Sequence, residues 1–143
     1  MTPDQIERIR TSWAAVAPTS DAVARLFYTR LFELDPALRR LFARTDMTAQ
    51  RQIVMQTFAV VVASLDTFDS IVPFIETLGR VHGRYGVREA HYETVGTALL
   101  WTLEATLGDA YDEATRDAWA AAYGALASVM IAAAAEETAT AVA

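Results

Sequence analysis

Apolar residues in this chain recur at spacings of three and four almost from end to end, and strand-like alternation is nearly absent. Thr2-Pro3-Asp4-Gln5 has the form of a capping box with proline in the first turn, and Ile6, Ile9, Trp13 and Val16 then repeat on one face. Ser20 or Asp21 can cap a second helix carrying Val23, Phe27, Leu31 and Leu34, which must yield near Asp35-Pro36. A short helical turn from Pro36 to Phe42 and a polar link, Arg44-Thr45-Asp46, follow. The next helix is long, with Gln50, Val54, Phe58, Val61 and Leu65 on its inner face. Asp69-Ser70 can cap another that has Pro73 early, presents Phe74, Leu78 and His82 four residues apart, and is ended by Gly83 and Gly86. Two long helices complete the pattern: Val87 or Ala90 to Leu107, stopped by Gly108, and Asp112 to about Glu137. The tail Thr138 to Ala143 is expected to fray. No repeat, linker or second unit interrupts the series, so residues 1–143 read as one all-α domain.

Composition supports that reading and removes several functions. A chain of 143 residues, 53% hydrophobic, fits one domain with a full core. Twelve basic residues, all arginine, against eighteen acidic ones give a formal charge of −6, which argues against a nucleic-acid face. The absence of cysteine removes disulfide frameworks, thiolate nucleophiles and cysteine-based zinc sites. The start has no apolar core of the signal-peptide kind, so the cytoplasm is the expected compartment. Ala118 to Ala135 is charge-free and long enough to raise the question of a membrane span. Ten of its residues are alanine, and Trp119, Tyr123, Leu126 and Met130 mark one face, so we read a core helix. No membrane partner is expected.

The candidate chemistry gathers at His82, one of two histidines, at the end of an apolar stripe. An imidazole there can ligate a metal, but it can equally cap a helix or sit half-buried for structure. A helix from Gln50 to Leu65 rises about 22 Å and one from Ile71 to His82 returns about 16 Å. Folded back on one another, the two helices bring Gln50 and His82 to the same end of a slot lined by Val54, Phe58, Phe74 and Leu78. Such a slot suits a flat, apolar, metal-centred cofactor such as haem. It also suits an ordinary core with two polar residues at its rim.

Three stretches carry a family resemblance. Phe27-Tyr28-Thr29-Arg30-Leu31-Phe32-Glu33-Leu34-Asp35-Pro36-Ala37-Leu38-Arg39-Arg40-Leu41-Phe42 resembles the second helix and following corner of a globin. Leu78-Gly79-Arg80-Val81-His82, Tyr85-Gly86-Val87 and His91-Tyr92-Glu93-Thr94-Val95-Gly96 resemble the proximal helix and the start of its successor. Ala118-Trp119 with Tyr123-Gly124 resembles the last helix. The likeness runs from the first helix to about Met130. It is closest to bacterial single-domain haemoglobins (including the type of thermoacidophilic methanotrophs), to the globin domain of flavohaemoglobins, and to neuroglobin. It implies a globin fold, helices A to H as a three-on-three sandwich around haem, with the fourth helix short or absent.

The resemblance also implies roles, residue by residue. His82 would be the axial ligand of haem b (iron protoporphyrin IX), its other ring nitrogen held by the Leu78 carbonyl. Phe42 would pack on the porphyrin and Val54 would stand over the iron, with Phe58, Leu78, Val87, Tyr92 and Val95 completing the surround. Tyr28 and Gln50 would be distal hydrogen-bond donors to a gas that takes on partial negative charge. Gln50 stands where neuroglobin has a histidine, so an open sixth site is expected in the ferrous form. Arg44, Arg80 or Arg84 would meet a haem propionate, and His91 would be structural.

Reversible binding of O₂, CO and NO, for oxygen storage or delivery, is the function these expectations favour. The runner-up is a nitric oxide dioxygenase. At 143 residues no flavin and NAD module is expected within the chain, so turnover would draw on a separate reductase. Flavohaemoglobins set a tyrosine and a glutamate behind the proximal histidine. Tyr92 matches the tyrosine, but Ala134 falls where the glutamate would be, with Glu136 and Glu137 two and three residues later. A haem-free signalling module is the third reading, and a monomer or weak homodimer is expected.

Overall fold

The computed structural model describes residues 1–142, with side chains to residue 140, and holds six α-helices and no strand among them. They are α1 (Pro3–Val16), α2 (Ser20–Leu34), α3 (Met47–Ala63), α4 (Val72–Arg84), α5 (Glu89–Leu107) and α6 (Glu113–Val142). Short 3₁₀ segments at Ala17–Thr19, Pro36–Phe42, Leu65–Ile71 and Gly108–Ala110 join them. Helices α1, α3 and α4 stack over α2, α5 and α6, held by the α4–α6, α1–α6 and α2–α3 seams, which is the expected three-on-three arrangement.

Local chemistry explains most boundaries. The Thr2 hydroxyl accepts from the Gln5 N–H at 3.2 Å while Gln5 Oε1 accepts from the Thr2 N–H at 3.0 Å, the expected reciprocal cap. Asp46 Oδ1 accepts from the N–H groups of Thr48 and Ala49 and starts α3. Asp112 Oδ1 takes the Thr115 N–H at 2.8 Å and starts α6. His91 Nδ1 accepts the Arg88 N–H at 2.9 Å, giving that histidine a structural role at the start of α5.

Four expectations fail, each for a local reason. Ser20 and Asp21 do not cap α2, because the 3₁₀ turn before it already places Ser20 in helical φ/ψ and the Asp21 carboxylate is held by Arg25 and Arg51. Asp69 and Ser70 do not cap α4 either. They lie inside the 3₁₀ segment, the Ser70 hydroxyl donates to the Thr67 carbonyl at 2.6 Å, and α4 starts at Val72 behind Ile71. Gly83 lies within the last turn of α4, and the reversal falls at Gly86, whose φ is +94°. Helix α6 continues past Glu137 to Val142, with the Thr138 and Thr140 hydroxyls donating back to the carbonyls of Ala134 and Glu136. Ala143 lies outside the described residues.

By length and composition α6 could cross a bilayer. In this fold it buries Ala118, Trp119, Ala122, Leu126, Ala127, Met130 and Ala133 against α1, α4 and α5. The indole N–H on that face is satisfied, since Trp119 Nε1 donates to Ser12 Oγ at 2.8 Å.

The tightest approach is between α4 and α6. A Cβ on Gly79 would lie 2.4 Å from the Met130 carbonyl oxygen, and one on Gly83 would lie 3.1 Å from the Ala134 Cβ. Gly79→Ala should therefore force backbone apart and cost roughly 1–3 kcal/mol, lowering Tm by about 3 °C or more in thermal unfolding. An unchanged Tm would contradict the close α4–α6 contact.

Candidate functional site

Helices α3 and α4 follow one another but do not pack along their lengths, because the chain bends by 111° at the break between them. They diverge as the walls of a wedge, in place of the closely folded-back pair expected from the sequence. Val54, Phe58 and Leu78 stay half-buried, as do Phe42, Val87 and Val95, all packed on the rim of the main core.

The α3 wall and its backing on α2 hold the polar pair. Tyr28 is 6% exposed, with its ring edge-on to Phe27 at 5.0 Å and to Phe42 at 5.6 Å between centroids. The Asp46 cap sets Gln50 in the first turn of α3, and Gln50 Nε2 donates to Tyr28 Oη at 3.0 Å. The structure adds a link between the two expected donors: one N–H of the Gln50 amide feeds the phenol oxygen, leaving the phenol O–H and the second amide N–H without a partner. Burial pushes the Tyr28 phenol above its ordinary pKa, and the Gln50 bond opposes this only in part, so the group remains a neutral donor.

The α4 wall holds His82. The buried residues of α4 are Ile75 and Gly79, which face α6, so the stripe one residue round, Leu78 and His82, is turned to the wedge. Phe74, expected on the inner wall, is 43% exposed at the first turn of α4. The His82 Nδ1–H donates to the Leu78 carbonyl at 2.7 Å, as expected, and Nε2 has no partner among the described residues. Past His82 the chain folds back, with the Val87 N–H on the His82 carbonyl at 3.0 Å. No cluster of three His, Asp or Glu side chains able to cage a bare metal ion exists among the described residues. A metal at Nε2 would draw its other donors from outside these side chains, as a macrocycle supplies them.

Other residues fall into place unevenly. The Phe58 ring lies 6.4 Å from Trp13 and lines a small apolar cavity of about 10 Å³ with Leu99 and Trp119, so it borders the core as well as the wedge. Tyr92 is buried with its hydroxyl unpartnered, while its carbonyl accepts from Tyr123 Oη at 2.6 Å. Arg84 was a propionate candidate, but it forks onto the carboxylate of Glu137, with Nε 3.1 and 3.2 Å from the two oxygens. Arg80 donates to Thr77 Oγ1 at 3.4 Å, whereas Arg44 is exposed with no ion pair or hydrogen bond among the described residues. Ala134 abuts Gly83, and among the described residues no carboxylate bonds to His82 or to the Tyr92 hydroxyl. The sequence reading missed one feature beside the polar pair, an ion pair of Arg51 with Asp21 at 2.9 Å. Thirty residues separate the partners, so no local pattern announces it.

A family model described as Globin matches residues 25–130. The Flavohemoprotein of Bordetella parapertussis is 35% identical over 129 residues, covering 86% of this chain and 32% of that protein. The chain thus spans about a third of the length of that relative. Neuroglobin of Danio rerio is 32% identical over 135 residues, 85% of each chain. A solved structure of an engineered carbene transferase, a Q52V variant of a putative nitric oxide dioxygenase from Rhodothermus marinus, superposes with a TM-score of 0.89. It is 24% identical and covers 100% of this chain and 99% of that one.

The buried phenols set an alkaline limit on the fold. Burial raises Tyr28, Tyr92 and Tyr111, the last to about 12, above their unfolded values. Their contribution to stability is therefore complete below about pH 10 and is lost as pH rises through the folded values. The difference in phenolate absorbance between the wild type and Tyr28→Phe should place the Tyr28 midpoint above 10. A midpoint at or below 10 would mean that Tyr28 is not buried against Phe27 and Phe42.

Proposed function

This chain belongs to the globin family, and on that premise we propose that it holds haem b in the wedge between α3 and α4 and reversibly binds O₂ and other diatomic gases. The observation that carries the reading is the state of His82. One ring nitrogen is committed to the Leu78 carbonyl and the other is free on an apolar wall, which fixes the tautomer a metal ligand needs.

The residues present fit the group. Phe42, Val54, Leu78, Val87 and Val95 offer a porphyrin an apolar, half-buried surround. The orphaned Tyr92 hydroxyl has a hydrogen bond to gain. Arg44, without a protein partner, and Arg80, held only by Thr77, are the candidate arginines that remain to meet a propionate. Haem supplies an iron at which a diatomic gas can bind and leave.

The chain's own residues would tune that exchange. Leu78 offers the His82 Nδ1–H a carbonyl and not a carboxylate, so the ring would gain less imidazolate character as a ligand than a carboxylate partner would give. Gln50 orients the Tyr28 hydroxyl and polarises its O–H, which then donates to a gas carrying partial negative charge. Val54 and Phe42 keep the surroundings apolar, where that donor counts for more than in water. The nitric oxide dioxygenase reading, with a separate reductase, is supported by the likeness to the Flavohemoprotein. The contact of Ala134 with Gly83 speaks against it, since the carboxylate expected behind the proximal histidine has no place there.

Haem titrated into the apoprotein should bind one to one, and His82→Ala should lose that binding or its axial spectrum while His91→Ala keeps both. A His82→Ala variant with an unchanged spectrum would sink the assignment. In haem-loaded protein, Tyr28→Phe should speed O₂ release about tenfold or more, because a charge-assisted hydrogen bond is worth about 1.5–3 kcal/mol.

A further inference from the structure

Two polar ties join α2 to α3, and only one of them faces the wedge. On α2, Asp21, Ala24 and Tyr28 stand at i, i+3 and i+7, one stripe of a helix. On α3, Gln50, Arg51, Val54 and Met55 form the facing stripe. The middle of the seam is apolar and close, with Ala24 fully buried and Met55 and Val54 packed in the same cluster. At one end Gln50 donates to Tyr28, and at the other Arg51 Nε donates to Asp21 Oδ1 at 2.9 Å. The Arg51 side chain is only 11% exposed, and its Nη2 also reaches Thr48 Oγ1 at 3.4 Å, tying the guanidinium to the first turn of its own helix. Asp21 is held from its other oxygen by Arg25 at 2.8 Å.

We propose that the Asp21–Arg51 ion pair is a positioning device that holds the first turn of α3 on α2, so that Gln50 stays in hydrogen-bond range of Tyr28 and keeps the phenol O–H turned to the gas. The proposal rests on the reading of Tyr28 and Gln50 as the gas-facing pair. Arg51 is the residue next to Gln50, so a shift of that turn moves both. A hydrogen bond at 3.0 Å is lost within a few tenths of an ångström, whereas the apolar middle of the seam tolerates such a slide. A surface pair is ordinarily worth little, but here one partner is nearly buried and the geometry to be kept is a single short bond.

The test uses carbon monoxide as probe on haem-loaded protein, reading its release rate and the C–O stretching band, with exchange of the Gln50 side-chain amide protons in the apoprotein as a haem-independent readout. Arg51→Met and Asp21→Asn should each raise CO release about threefold and move the band toward its position in Tyr28→Phe. Arg51→Lys, which keeps the charge, should restore most of the wild-type band. In the Tyr28→Phe background Arg51→Met should add nothing, because the two residues act through one hydrogen bond. Amide exchange at Gln50 should quicken in Arg51→Met. An equal effect in both backgrounds would overturn the proposal by showing a general loosening, and so would unchanged release and exchange. If Tyr28→Phe alone leaves release and band unchanged, the gas-facing reading fails and the proposal with it. Amide exchange would then still report whether the ion pair holds Gln50.

Discussion

The backbone contact of α4 with α6 at Gly79 and Met130 determines where the proximal chemistry points. With no side chain at Gly79 the helices meet backbone to backbone, and Ile75 and Gly79 become the face of α4 committed to the core. A helix has one face to commit. The stripe a residue round, Leu78 and His82, is thereby turned away from α6 and toward α3. The same contact seats Gly83 on Ala134 and brings Arg84 to Glu137, so the end of the helix is tied just past the histidine. Direction and burial of His82 descend from this seam, while its tautomer is fixed inside α4 by the Leu78 carbonyl.

The opposite wall obeys a different constraint. A phenol buried against aromatic rings must have its oxygen satisfied, and Gln50 does this from another helix. Placing one amide N–H on the phenol oxygen orients the phenol O–H, so the direction of that donor is set from another helix. The cost is dependence on the α2–α3 register, because a bond between two helices is only as fixed as the seam that carries it. On the histidine wall the hydrogen bond lies within one helix, from residue 82 to residue 78, and needs no such support.

Much of this was legible in the sequence, because amphipathic periodicity reports burial directly. The stripes through Ile9, Phe27, Leu31 and Trp119 located the helices, and the spacing of Leu78 to His82 located the tautomer-fixing bond. What escaped reading depends on tertiary neighbours. Ser20, Asp21, Asp69 and Ser70 have capping side chains, but the 3₁₀ turns around them satisfy the backbone in other ways. Phe74 shares the register of Leu78 but sits at the first turn of α4, where the walls diverge. Arg84 has the chemistry of a propionate partner, and only the continuation of α6 past Glu137 shows that it is already engaged. Resemblance to globins supplied the roles, while the structure supplied the connection of Gln50 to Tyr28 and of Arg51 to Asp21.

Gas binding at a site opposite His82 requires that no side chain of the chain itself take that position. On the proposed reading the Gln50 amide nitrogen is engaged by Tyr28 and Val54 carries no ligating atom, which favours an open site. The visible absorption spectrum of the haem-loaded protein in the deoxygenated ferrous state tests this most directly. A five-coordinate spectrum that converts under O₂ to a persistent new form and returns when O₂ is removed is the expected result. A six-coordinate ferrous spectrum before any gas is added would contradict it, since an internal side chain would then fill the site that the Tyr28–Gln50 pair is held to serve.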